Sequence, residues 1–387
     1  MKIIHKTILY FIFLLVIVST GICQTRYIDE IFEDFNKYED VIYGNAPDLP
    51  FWFLIESNTN NINLNMDIYE PSNDSETQRP LIIFLYSGSF FTGSNELDDI
   101  VALSKSAAKR GFVVMAINYR LGLNILSGYS GERAVYRGMQ DLSAAIRFAR
   151  EYHEDYNIDP NKIFVWGTSA GGIIALQLSS AEEDERPEST FGIFGDPDLG
   201  CIDCEGNAFQ HNSKPNAVVS CWGAIGSLEW IDSYNQIPTI MFHGESDLIV
   251  PINTGFPFTA NITLPLVYGS AEINERMNDL GILHEFYSAE GEGHEYWGTL
   301  AGFWTDGPNQ YFYDIQSNTY NFLYQFIVNG IQGDINGDEI INIIDVISIV
   351  NLIMNSNPYN LIADMNNDNI INILDVLQLV SAILGDN

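Results

Sequence analysis

The sequence predicts an α/β fold, with a mainly parallel central sheet flanked by helices and a small all-α unit at the C-terminal end. Three observations predict it. Between Gln24 and about Asn329 short apolar runs alternate with helical stretches, the order produced by strands joined through covering helices. Runs such as Leu81-Ile82-Ile83-Phe84-Leu85 are apolar at every position, as strands buried on both faces of a parallel sheet must be. Residues 331–387 then change character, holding eight acidic residues and no Lys or Arg.

In chain order, residues 1–23 read first as a secretory signal peptide. Lys2 and Lys6 give a positive start, Ile8 to Val18 an apolar stretch and Gly21-Ile22-Cys23 a small-residue exit, so that cleavage leaves Gln24 first. A membrane anchor is the alternative, but the eleven apolar residues span only roughly 16 Å at about 1.5 Å per helical residue, half of a bilayer core. Lipidation at Cys23 is opposed by Ile22, which stands where such a site takes Gly, Ala or Ser. No other run reaches spanning length, so the expectation is a secreted or extracytoplasmic protein with no membrane contact after cleavage.

The second segment, 24–330, carries the sheet. Strands are expected at 63–69, 81–86, 112–117, 163–166, 217–221, 239–243 and 284–288, and helices at 97–110, 134–152, 170–180 and 274–280. Two long stretches, 181–215 and 250–266, exceed plain connectors and are candidates for a lid or pocket wall. Cys201 and Cys204, spaced C-x-x-C, read as a loop-clipping disulfide or as half of a zinc site completed by Cys221 and His211. In an exported protein the clip is favoured.

Chemistry enters at Gly167-Thr168-Ser169-Ala170-Gly171, the one G-x-S-x-G of the chain. It joins an expected strand to an expected helix, so the glycines permit a sharp turn that presents the Ser169 hydroxyl above the sheet. A serine hydroxyl needs a base to act as a nucleophile. Among the histidines, His243 and His284 lie inside apolar strand runs and read as structural, whereas His294 follows Gly291-Glu292-Gly293 in a loop after the last strand. The imidazole in turn needs a carboxylate. Asp247, just past the strand ending at His243, is the candidate, with Glu245 as its rival.

The third segment, 331–387, repeats itself. Residues 333–357 and 363–387 are identical at 12 of 25 positions, and each copy contains D-x-N-x-D. Asp334, Asn336, Asp338, the backbone of Ile340, Asn342 and Asp345 occupy positions 1, 3, 5, 7, 9 and 12 of a calcium loop. Asp364, Asn366, Asp368, Ile370, Asn372 and Asp375 repeat them. The expectation is two structural calcium ions and no cofactor for catalysis. Each loop leads into an amphipathic run, Val346, Ile347, Ile349, Val350 and Ile353 in the first and Val376, Leu377, Leu379, Val380 and Ile383 in the second. So small a unit needs metal binding for part of its folding energy.

Two resemblances rest on these residues. Residues 333–387 resemble a type I dockerin, the calcium module that plugs catalytic chains into cohesin-bearing scaffolds, which implies a cohesin-type partner. Two positions depart from the pattern: Glu339 and Asn369 stand where such loops turn on Gly, and Ile343-Ile344 and Ile373-Leu374 replace a pair that is polar in many dockerins. Residues 60–325 resemble the esterase and lipase branch of the α/β-hydrolases, near bacterial carboxylesterases and hemicellulose-deacetylating enzymes. The markers are Gly167 to Gly172, His243-Gly244 with Asp247, Gly291 to His294, and Asn118-Tyr119-Arg120.

That resemblance implies a Ser169-Asp247-His294 triad. It also implies an oxyanion site built from backbone N–H groups of Gly88, Ser89 and Ala170, although the H-G-G-G of many relatives reads Tyr86-Ser87-Gly88-Ser89-Phe90 here. Phe90, Phe91, Trp222 and Trp297 are expected near the pocket. The implied substrate is a carboxylic ester, which the dockerin resemblance extends to polysaccharide-linked esters. A serine peptidase of the same fold and a non-catalytic binding protein are the alternatives. Composition excludes another class: 17 basic against 51 acidic residues give a net charge of -34 with no basic patch, which repels nucleic acid.

Overall fold

A computed structural model describes residues 24–49, 56, 59–124, 126–192, 195–234, 236–259, 264–327, 332–335, 340–354, 362–366 and 370–384. Residues 1–23, expected to be a signal peptide, and the loop positions Asn336, Asp338 and Asp368 lie outside the described residues. Eight strands form the main sheet: β1 Phe35–Asp48, β2 Asn60–Pro71, β3 Arg79–Leu85, β4 Val113–Ile117, β5 Ile158–Thr168, β6 Ala217–Cys221, β7 Thr239–Gly244 and β8 His284–Ala289. Their spatial order is β1-β2-β4-β3-β5-β6-β7-β8. β2 runs antiparallel to both β1 and β4, and every other neighbouring pair is parallel. β3, β4, β6 and β7 are buried at every residue, so both faces of the sheet are covered.

The covering helices are α1 Asp98–Arg110, α2 Ser130–Glu151, α3 Ala170–Ser180, α4 Ser270–Leu280 and α5 Gln310–Ile327. α1 carries its own signals: Asp98 and Asp99 in the first turn, Lys109 and Arg110 in the last, and Gly111 in the left-handed conformation as its cap. Two elements were not expected. β1 is an edge strand whose alternation is broken by two register shifts, one of them spanning Asp40 at φ 55°. It carries Asn36, Glu39 and Asp40 outward, a polar dressing that hides a strand from pattern reading. α5 is rich in Tyr, Phe and Asn, residues of middling helix propensity. It is held by packing, with Tyr320 against Phe112 and Trp166.

Cys201 and Cys204 form a disulfide with their Cα atoms 5.0 Å apart, and Cys221 is a buried free thiol. His211 pairs with Glu151 instead. The clip therefore holds and the zinc alternative does not.

The C-terminal unit contains α6 Ile343–Met354 and α7 Ile373–Leu384, packed through Ile349, Ala363, Val376 and Leu379 in a core separate from that of the sheet. The expected apolar stripes are too wide. Ile347 and Leu377 are more than half exposed, and Ile353 and Ile383 lie at the surface as well, because the two short helices can turn only one narrow face toward each other.

Candidate active site

Ser169 stands between β5 and α3 with φ 53° and ψ −115°, a backbone conformation an L-residue adopts only when its surroundings impose it. Its N–H is tied to the carbonyl of Cys221 at the end of β6, 2.9 Å away. Gly171 makes the turn possible: a Cβ there would lie 2.3 Å from the backbone oxygen of Leu85. α3 can thus start against the end of β3, with the Ser169 side chain raised above the sheet.

His294 reaches this serine from the loop after β8. Its Nε2 lies 2.8 Å from Ser169 Oγ and its Nδ1 2.6 Å from Asp247 Oδ2. The loops after β7 and β8 approach closely at Gly244, where a Cβ would meet the oxygens of Gly293 and Glu292 at 2.3 and 2.5 Å. The N–H of Ser246 also donates to the carbonyl of Glu292 at 2.8 Å. Trp222, fully buried, sets its ring 6.2 Å from that of His294 and 4.7 Å from that of Trp297.

Asp247 is buried and fully used. Its Oδ1 accepts from the N–H groups of Ile249 and Val250 at 2.8 and 3.0 Å. Its Oδ2 accepts from His294 and lies 3.3 Å from Nε2 of His243. Burial pushes the carboxyl pKa up, but the hydrogen bonds from His243 and His294 outweigh it and hold the group well below the ordinary carboxylate range. Glu245, the rival, is exposed and accepts from the Ser288 hydroxyl.

The loop after β3, expected to hold the oxyanion donors, is fixed by a reciprocal pair. The Tyr86 hydroxyl donates to the Tyr119 carbonyl and the Tyr119 hydroxyl to the Tyr86 carbonyl, at 3.1 and 2.9 Å, with the rings stacked 4.3 Å apart. Beyond it Ser89 and Phe90 both take positive φ, 54° and 59°. The Gly88 carbonyl accepts from Phe91 and Thr92, and the Phe90 carbonyl from Gly122 and Leu123. Ser89, Phe90 and Ala170 line the same cavity as Ser169, whereas Gly88 does not.

That cavity has a volume of about 670 Å³. Its walls come from both long stretches singled out in the sequence, with Pro187 and Ser189 from one and Pro257, Phe258 and Leu264 from the other. Of the four aromatics expected there only Phe90 lines it. Trp222 and Trp297 are buried behind His294, and Phe91 turns toward the surface. His243 is the site residue that sequence reading passed over. The signal was its polarity inside an apolar strand, four positions before Asp247.

In the C-terminal unit Asp334, Asp345, Asp364 and Asp375 are buried carboxylates in a segment without a Lys or Arg. Asp345 accepts from the N–H of Ile335 and Asn342, and Asp375 from those of Asn366 and Asn372. Asn342 and Asn372 each offer Oδ1 to the N–H two residues on, capping α6 and α7. Among the described residues no three His, Cys, Asp or Glu gather into a metal cluster. Carboxylates buried with no cationic side chain in the unit nonetheless fit a hard, oxygen-seeking cation, which would be held by these aspartates with the asparagine amides.

Comparison with known proteins agrees with this architecture. Residues 66–232 match the family BD-FAE and residues 332–384 the Dockerin type I domain. The first match covers Ser169 and the loop after β3 but ends before Asp247 and His294. Carboxylesterase 3B of Mus musculus is 33% identical over 117 residues, 30% of this chain and 20% of that protein. Para-nitrobenzyl esterase of Bacillus subtilis (strain 168) is 29% identical over 118 residues, 30% of this chain and 24% of that protein. The chain thus spans about a fifth to a quarter of these relatives. In fold it is similar to Thermogutta terrifontis esterase 2 phosphonylated by cyclosarin, with a TM-score of 0.51 at 21% identity, over 74% of this chain and 94% of that one. No helix among the described residues is long and apolar enough to cross a membrane. The chain is thus similar to the BD-FAE family over residues 66–232 and to the Dockerin type I domain over residues 332–384, on an α/β-hydrolase fold.

Proposed function

We propose that the protein is a secreted serine carboxylic-ester hydrolase tethered through its calcium-binding dockerin domain. The observation that carries the reading is the unbroken line of hydrogen bonds from Ser169 Oγ through His294 to the buried Asp247 carboxylate. Ser169 Oγ attacks the ester carbonyl carbon while His294 Nε2 takes its proton, and Asp247 stabilises the imidazolium so formed. The carbonyl electrons move onto oxygen, to be received by the backbone N–H groups of Ser89 and Ala170, a role supported by both residues lining the same cavity as Ser169. As the tetrahedral adduct collapses, the bond to the alcohol oxygen breaks and His294 returns the proton to it. Water, activated by the same imidazole, then releases the acid and restores Ser169.

The Dockerin type I match supports docking on a cohesin-type partner and, through it, a place among extracellular enzymes acting on polysaccharide esters. The two calcium ions belong to the same reading, held by Asp334, Asn336, Asp338, Ile340, Asn342 and Asp345 and by Asp364, Asn366, Asp368, Ile370, Asn372 and Asp375. The apolar cavity supports an ester with room for more than an acetyl group.

The test is hydrolysis of p-nitrophenyl esters from acetate to octanoate by the chain beside Ser169→Ala. The reading expects turnover that the substitution lowers by at least about 10⁴-fold. Equal turnover by the two proteins would refute it.

A further inference from the structure

The hydrogen-bond line does not stop at Asp247. His243, the fifth residue of β7, is fully buried and lies behind the aspartate. Its Nε2 is 3.0 Å from the carbonyl oxygen of Val250 and 3.3 Å from Asp247 Oδ2. A carbonyl oxygen only accepts, so Nε2 carries a hydrogen, and that hydrogen is shared with the carboxylate. Nδ1, on the other side of the ring, meets Ser270 Oγ at 2.9 Å. Ser270 is itself fully buried and is the first residue of α4. Three consecutive contacts out of water, Ser270 to His243, His243 to Asp247 and Asp247 to His294, therefore lead to the serine.

Ordinary core packing explains a buried histidine, but it does not explain the direction of this one. Asp247 Oδ2 is flanked by two imidazoles, one 2.6 Å and one 3.3 Å away. The geometry points to His243 as a positioning residue for the triad, held in place by Ser270, which fixes the orientation of the Asp247 carboxylate and so the aim of His294. Its effect passes through Asp247, since His243 is absent from the lining of the substrate cavity. The inference rests on the serine-hydrolase reading above.

The experiment uses the full chain and a p-nitrophenyl ester on which Ser169→Ala has lost turnover, so that failure of the serine reading shows first and separately. His243→Leu removes the donor, His243→Gln keeps an N–H of similar reach, and Ser270→Ala leaves the imidazole but removes its partner. Rates are taken per active site, counted by a fluorophosphonate that labels only folded sites, with the thermal midpoint read in parallel. His243→Leu is expected to lower kcat about ten- to a hundredfold with KM within about twofold, the size of one hydrogen bond to a charged group. His243→Gln is expected to recover most of that loss, and Ser270→Ala to lower kcat about three- to tenfold.

A wild-type kcat per site in both His243→Leu and Ser270→Ala would overturn the inference, whatever happens to the thermal midpoint. So would a Gln variant as impaired as the Leu variant, because shape rather than the donor would then matter. Should His243→Leu fail to fold, the two milder variants decide: a kcat loss at unchanged KM in Ser270→Ala supports the role, and its absence refutes it.

Discussion

At Asp247 two backbone N–H groups and two imidazoles converge on one buried carboxylate, and the consequence is a pH dependence of known sign. The pKa is depressed in the folded protein from an ordinary 3.8. The ionised group therefore favours the folded state fully above about pH 4, and that contribution is lost as pH falls through the depressed value. Asp247→Asn should then be less stable than the parent at neutral pH, with a gap that narrows in acid denaturation measured below about pH 4. A gap independent of pH would contradict the assignment. The same substitution should cost roughly 10⁴-fold in turnover, because the amide stabilises the wrong tautomer of His294. Ser169 and His294 were legible in the sequence because a nucleophile elbow and a glycine-flanked histidine are local patterns. His243 was not legible in this role, since the partner that orients it, Ser270, lies 27 residues away and is brought near only by the meeting of β7 and α4.

The elements explain why those side chains meet. The turn between β5 and α3 depends on Gly171, whose missing side chain lets α3 begin against Leu85. Gly171→Val should leave little soluble protein, or protein whose thermal midpoint falls by several degrees along with its activity. A variant of normal stability and activity would show that the turn tolerates a side chain, contrary to the contacts. Seven strands were read from sequence, most of them because their apolar runs are continuous or nearly so and β2 because Leu64, Met66 and Ile68 alternate with polar residues. β1 was missed because an edge strand answers to its partner's register and to solvent rather than to a periodic core. α5 was missed for a related reason: its aromatic residues earn a helix only by packing on Phe112 and Trp166. The loop after β3 was legible in place but not in detail. Its conformation rests on the Tyr86–Tyr119 pair, two residues 33 apart in the chain, and on positive φ at two residues that are not glycine.

At the scale of the whole molecule there are two cores, one in the α/β domain and one in the C-terminal unit, and every proposed calcium ligand lies in the second. Its four buried aspartates would repel one another without a cation. Thermal unfolding of the full chain should thus show a transition that moves to lower temperature with a calcium chelator and returns on adding calcium, while ester hydrolysis at moderate temperature stays constant. A chelator that shifts no transition would remove the metal from the account. The excess of acidic residues in the sequence is carried into the fold as exposed carboxylates such as Glu39, Asp40 and Glu245.

The central claim is that Ser169 is a nucleophile made reactive by His294, and covalent trapping tests it most directly. The full chain is treated with a fluorophosphonate, whose phosphorus is attacked by the serine oxygen with loss of fluoride, and the adduct is located by peptide mass spectrometry. The account predicts one adduct on the peptide bearing Ser169 and a labelling rate that falls by at least about a hundredfold in His294→Ala. Labelling at another residue, or at Ser169 with the same rate in both proteins, would contradict it.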